Sequence, residues 1–199
     1  MKEKSIGARL DEILPKITDK TFRENIGLGN EIGYYIFDYD AKDEYKVRDF
    51  IERNKNKINN DETNKYDFSI KEYDIYNIIM DLIEEKGFMG KIIDFEKRKG
   101  TDWILKRIRE MLAIGTDNDL IINYIKENTK ENDIVFLTGI GKASFIIRAH
   151  SILNNLHSVI DKTPVIMFYP GNYTGQTLEL MGSLKGNGYY RAFQLVSRI

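Results

Sequence analysis

The sequence predicts an α/β fold. It reads as a single three-layer domain with a mostly parallel, Rossmann/P-loop-like sheet and an additional helical N-terminal half. Three observations carry this. DIVFLTG (133–139) and TPVIMFYPG (163–171) are apolar, β-branched runs with a helical segment between them, which makes a βαβ unit. Near-continuous apolar strands belong to parallel sheets covered on both faces. Upstream, Ile75, Ile78, Ile79, Leu82 and Ile83 recur at the spacing of an amphipathic helix.

Taken in order, Ile6, Leu10, Ile13 and Leu14 share one face of a first helix that Pro15 interrupts. ENIGLGNEIG (24–33) reads as a glycine turn leading into a strand, YYIF at 34–37. Asp40 is placed to cap a helix over 41–58, with Asp43 and Glu44 in its first turn. YDFSIKEY (66–73) alternates as a second strand before the Ile75 helix, which Gly87 ends.

A short helix over 89–98 follows, then one from Gly100-Thr101-Asp102, with Ile104, Leu105, Ile108, Met111 and Leu112 inward and Gly115 as its stop. Asp117 is positioned to cap a helix over 118–128. SFIIRAHSILNNLH (144–157) reads as one helix with a core stripe of Ile146, Ala149, Leu153 and Leu156. YYRAFQLV (189–196) reads as a closing strand. The chain thus divides into 1–132, mainly helical with two strands, and 133–199, the βαβ core and final strand.

Composition narrows the function classes. With no cysteine there is no disulfide framework, thiolate metal cluster or cysteine nucleophile. The two histidines, His150 and His157, are seven residues apart, about 10 Å along a helix, too far to share one ion. No metal or cofactor is expected. No apolar run approaches the ~20 residues of a membrane span, and MKEKSIGARLDEIL lacks the apolar region of a signal peptide, so a cytoplasmic protein is expected. Thirty basic residues stand against 31 acidic ones, but residues 133–199 lean basic and the preceding stretch acidic.

TGIGKAS (138–144) lies between a strand and a helix, where phosphate-binding loops occur. Neither known geometry is complete. With Gly141-Lys142 as anchor, a P-loop would need glycine where Phe136 stands and a hydroxyl where Ala143 stands. Gly139, Gly141 and Ser144 give only part of a dinucleotide fingerprint, and Tyr169-Pro170 replace its ribose-binding acid. Two readings stand: a tight turn whose Ser144 caps the next helix, or a contact for an anion or nucleotide.

On that helix His150, Asn154 and His157 share one row, and Arg148, Ser151 and Asn155 another. Arg148 is a charge clamp for a phosphate or acidic partner, or a surface ion pair. Asp38 and Asp40 follow a strand, a place from which carboxylates reach a metal ion, though Asp40 also reads as a simple cap. PGNYTGQ (170–176) reads as a loop displaying Tyr173 between Gly171 and Gly175, which is either a plain turn or, with both loops at the carboxyl edge of the sheet, a recognition surface facing the Gly139–Ser144 loop. The candidate anion- or partner-binding set is therefore Gly139, Gly141, Lys142, Ser144, Arg148, His150, Asn154, Gly171, Tyr173, Gly175 and Arg191. No nucleophile set is readable, so no catalytic residue is assigned.

GLGNEIGYYIFDYD (27–40), IVFLTGIGK (134–142), RAHSILNNL (148–156), VIDKTPVIMFYPGNYTGQTLEL (159–180) and NGYYRAFQLV (187–196) together resemble the BrxB family. The resemblance covers nearly the whole chain and is strongest over 133–196. It implies a component of a BREX (bacteriophage exclusion) system, in an assembly with a DNA methyltransferase, a large ATPase and a PglZ-type protein of the alkaline-phosphatase superfamily. It implies no catalytic activity for this subunit. The expected role is a non-catalytic adaptor that binds another BREX subunit, the PglZ-like one, with nucleic acid reached only through the complex. The alternatives are a degenerate nucleotide-binding regulator using Gly139, Gly141, Lys142 and Arg148, and a DNA-contacting subunit using Lys142, Arg148, Lys162, Lys185 and Arg191.

Overall fold

A computed structural model describes residues 3–24, 33–63, 65–180, 184–185 and 192–199. In chain order its elements are α1 (Ile6–Asp11), α2 (Ile13–Thr18), α3 (Lys20–Arg23), β1 (Tyr34–Tyr39), α4 (Glu44–Asn59), β2 (Ser69–Asp74), α5 (Ile75–Glu85), α6 (Met89–Lys99) and α7 (Thr101–Met111). Then come α8 (Leu120–Asn128), β3 (Asp133–Thr138), α9 (Ile140–Ala143), α10 (Ala149–Leu156), β4 (Val165–Tyr173), β5 (Leu178–Leu180), β6 (Leu184–Lys185) and β7 (Phe193–Gln194). Strands β2-β3-β4-β1-β7 lie side by side and all pair in parallel; β5 and β6 extend the end of β4 as an antiparallel ribbon. The expected α/β class and parallel sheet are what the structure has.

Alternation along the strands makes two cores. Tyr34, Ile36, Val135, Leu137, Val165 and Met167 face α5, α7, α8, α9 and α10. Tyr35, Phe37, Ile134, Phe136, Ile166 and Phe168 face α1, α2 and α4, together with Leu195 and Val196 of the tail. Period 2 in a strand sends neighbours to opposite faces, so apolar residues at every position need cover on both sides. Each fully buried large side chain contributes about 1.5–3 kcal/mol by leaving water. Among the described residues no helix is long and apolar enough to cross a membrane.

Edge strand β2 is covered near its start. The Asn59 side chain accepts from the Ile70 N–H and donates to the Ile70 carbonyl, both at 2.8 Å, standing in for a further strand.

Several expectations need correction. The helix expected from 144 begins only at Ala149: Ile140–Ala143 form a single separate turn, and the intervening loop buries Ile147, while Ile146 and Ala149 are half-buried. Ile152 joins Leu153 and Leu156 in the core instead. Asp119, not Asp117, caps α8, accepting from the Ile121 and Ile122 N–H groups at 3.1 and 3.3 Å. The stretch expected to be a loop from Pro170 is strand as far as Tyr173. Most of the 24–33 turn and residues 189–191 of the closing strand lie outside the described residues, and that strand is seen at Phe193–Gln194.

Candidate functional site

In parallel α/β sheets ligands enter at the carboxyl ends of the strands. Two clusters of side chains occupy that edge here, one beyond β2 and β3, the other beyond β1 and β4.

At the first, β3 ends at Thr138 and turns through Gly139, whose φ of +70° suits glycine. A second constraint acts on Gly139: a Cβ there would lie 2.1 Å from Asp74 Oδ1. Asp74, the last residue of β2, caps α5 by accepting from the Asn77 N–H at 3.1 Å. Its other oxygen accepts from Lys142 Nζ at 3.0 Å, and that ammonium also lies 5.2 Å from the Tyr76 ring centroid. The glycine turn therefore makes room for a carboxylate of the protein itself, and Lys142 is already paired with it. Ser144 closes α9 by donating to the Gly141 carbonyl at 2.8 Å and does not cap α10; Arg148 holds the position before α10 with no capping bond from its side chain.

Alongside lies a polar cleft of about 500 Å³ between α4 and α5, with Arg48, Glu52, Lys55, Lys71, Asp81 and Lys142 among its walls. Two of its lysines are paired within the protein, Lys142 with Asp74 and Lys55 with Glu72. Lys55 donates to Glu72 at 2.5 Å, and Thr138 Oγ1 donates to the same carboxylate at 3.1 Å.

In the second cluster the sequence marks Asp38 and Asp40 but not the arginines that meet them. Asp38 in β1 is fully buried, with two arginines on it. Arg9 of α1, 3% exposed, donates to Asp38 Oδ1 at 2.9 Å, to the Asp38 carbonyl at 2.6 Å and to the Val196 carbonyl at 3.0 Å. Its guanidinium lies 4.6 Å from the Phe37 ring centroid. Arg198 donates to Asp38 Oδ2 at 2.6 Å, to Asp40 Oδ1 at 2.9 Å and to the Gly171 carbonyl at 2.7 Å. Burial lowers the Arg9 pKa although Asp38 opposes it, whereas burial of Arg198 is outweighed by its hydrogen bonds to Asp40 and Asp38, which raise its pKa. The Arg198 hydrogen bond holds the Asp40 carboxyl below its ordinary value. Asp40 thus answers an arginine from the tail; its side chain makes no capping hydrogen bond.

The remaining expected site residues fall in different places. Gly171 is inside β4, where a Cβ would lie 2.1 Å from the Glu179 carbonyl oxygen; the β5 ribbon demands glycine there. Tyr173, expected on display, is buried, its N–H donating to Asp38 Oδ2 at 3.3 Å and its hydroxyl 2.6 Å from the Ala192 carbonyl oxygen. Gly175 makes the turn after β4 with a φ of +87° and open space around it. His150 is half-buried, its pKa lowered by burial and by the Arg148 charge; Asn154 is exposed; His157 sets its ring 5.0 Å from Tyr34. Among the described residues no group of three His, Asp or Glu side chains is placed to hold a metal ion.

Lys162 borders a cavity of about 610 Å³ at the amino edge, with Lys20 and Arg23, so Lys142 and Lys162 sit at opposite ends of the sheet. That separation breaks up the cation set suggested for DNA. Arg191 and the Lys185 side chain lie outside the described residues.

Comparison with known proteins gives one family. The family model described as BREX protein BrxB matches residues 71–195. A protein of Bacillus cereus (strain H3081.97) named BREX protein BrxB is 51% identical over 193 residues, covering 97% of this chain and 98% of its own. One of the same name from Escherichia coli O9:H4 (strain HS) is 34% identical over 188 residues, covering 94% and 90%. No solved structure matches.

Proposed function

The chain belongs to the BrxB family of BREX proteins, and from that premise we propose that it is a non-catalytic adaptor which binds another BREX subunit, the PglZ-like protein, in the cytoplasm during bacteriophage exclusion.

One observation carries the reading: at both places on the carboxyl edge the cations that could receive a ligand are paired with carboxylates of the protein itself. Asp74 occupies the space that the Gly139 turn creates and engages Lys142, so a phosphate arriving there would have to displace a carboxylate from the cation. At β1 and β4 the crevice holds Arg9, Asp38 and Arg198, closed over by the Leu195–Arg198 tail. A site built for turnover needs a reacting group within reach of a substrate and a cavity to admit it. Here the buried titratable groups are committed to one another, which leaves surfaces as the means of action.

The test is co-purification from cells expressing the whole operon with a tag on the PglZ-like protein. The adaptor reading expects this chain to elute with it in fixed ratio through size exclusion. Elution apart from every BREX component contradicts it.

A further inference from the structure

We propose that the loop between α9 and α10, residues 144–148, is the docking surface, with Phe145 as an apolar anchor flanked by Arg148. Its occupant is a partner protein presenting an acidic face around an apolar socket. This rests on the adaptor reading above and says where the adaptor is gripped.

Phe145 is 71% exposed. Tyr45, at 75%, is comparable in exposure but carries a hydroxyl that water can satisfy. The Phe145 ring has no polar atom and gains nothing from its position in the isolated chain. It is nonetheless held firmly. Arg109 at the end of α7 reaches across 37 residues of sequence to donate its Nε to the Ile146 carbonyl at 2.9 Å, and another guanidinium nitrogen donates to the Phe145 carbonyl. Ile146 and Ile147 donate their N–H groups to the Ala143 carbonyl at 2.9 and 3.0 Å, and Ile147 is buried beneath the loop. A ring presented on a backbone fixed from both sides loses little freedom when a partner covers it.

The charges tied to the loop are cationic, Arg148 within it and Arg109 bonded to it, while the neighbouring Glu110 is engaged by Arg107. Arg148 is exposed, and among the described residues no carboxylate pairs with it. Arg109 directs its donors to carbonyls and keeps its charge uncompensated. Lys106, one turn earlier on the same face of α7, likewise has no ion pair among the described residues. Cations without counter-charges beside an aromatic ring are what an acidic protein surface complements, and arginine and aromatic rings dominate binding energy at such contacts. A nucleic-acid backbone suits the loop less, because it asks for a long row of cations, and Lys162 is at the far edge of the sheet.

The experiment measures binding of the purified PglZ-like protein to the full chain and to Phe145→Ala, Arg148→Glu and Tyr45→Ala, at low and high salt, with each variant's melting curve as a folding control. Phe145→Ala is expected to weaken binding about 30-fold and Arg148→Glu about tenfold with a flatter salt dependence, Tyr45→Ala leaving it unchanged. Wild-type affinity in both loop variants overturns this surface and leaves the adaptor reading standing. A wild-type chain that binds no BREX protein overturns both. Loop variants that keep the protein partner but lose a DNA mobility shift would assign the loop to nucleic acid, against the proposal.

Discussion

The two clusters at the carboxyl edge use the same chemistry, an aspartate facing a cation, in opposite settings. Asp38 and Arg9 are 0% and 3% exposed, whereas Lys142 is 48% exposed against Asp74 at 24%. Burial decides what each is worth. A half-exposed pair competes with water and adds little. A buried pair is poor at adding net stability but severe when broken, because the surviving charge is stranded. One cluster is thus a lock that ties α1 and the tail to the end of β1, and the other a clip that fills a turn.

The contrast is sharpest in substitution. Asp38→Ala strands the buried Arg9, while Arg198 keeps Asp40, and the expected loss is about 3–5 kcal/mol, read by urea denaturation; a loss below about 1 kcal/mol would show that the cluster is not a lock. Gly139→Ala adds a Cβ where Asp74 now sits, at a positive φ, and displaces the carboxylate that caps α5. About 2 kcal/mol is expected from the strained backbone and the lost cap, by the same assay. Lys142→Ala removes only the clip and should change stability by less than about 1 kcal/mol.

The smallest effect is in acid. The Arg198 hydrogen bond lowers the folded pKa of Asp40 below its ordinary 3.8. A carboxyl lowered in this way contributes stability that is fully present above that ordinary value and is lost as pH falls through the folded value. Asp40→Asn should therefore show a slightly flatter fall in melting temperature below about pH 4 than the wild type. An identical slope would separate Asp40 from the lock.

Where the sequence could be read, local chemistry decided the structure. The Ile75–Ile83 stripe, Gly87 at φ +64° and the apolar runs of β3 and β4 each report on themselves within a few residues. The errors have physical reasons. Ile146 and Ile147 continue an apolar pattern into a segment that turns before helix resumes, so periodicity alone starts α10 too early. Pro170 reads as a strand end, yet pairing between β3 and β4 reaches only Met167, so by Pro170 one side of β4 has no ladder for a missing N–H to break.

The site was less legible than the fold. Gly139, Lys142 and Arg148 are visible as a motif, but Asp74, which fills the space at Gly139 and pairs with Lys142, lies 68 residues from that lysine, and nothing local marks it. Arg9 meets Asp38 across 29 residues and Val196 across 187. Phe145 passed as one more apolar residue of a helix, because periodicity cannot tell a packed ring from a displayed one. What would have distinguished them is Arg109, which bonds to a backbone rather than to any side chain the pattern could reveal.

The claim that this edge is closed from within is tested most directly by thermal melting with millimolar Mg-ATP, GTP, NAD and inorganic phosphate. A ligand at 100 times its Kd adds about 2.7 kcal/mol, several degrees for a chain of this size. An unchanged melting temperature with every ligand is the expected result. A rise of several degrees that Lys142→Ala abolishes would contradict the account.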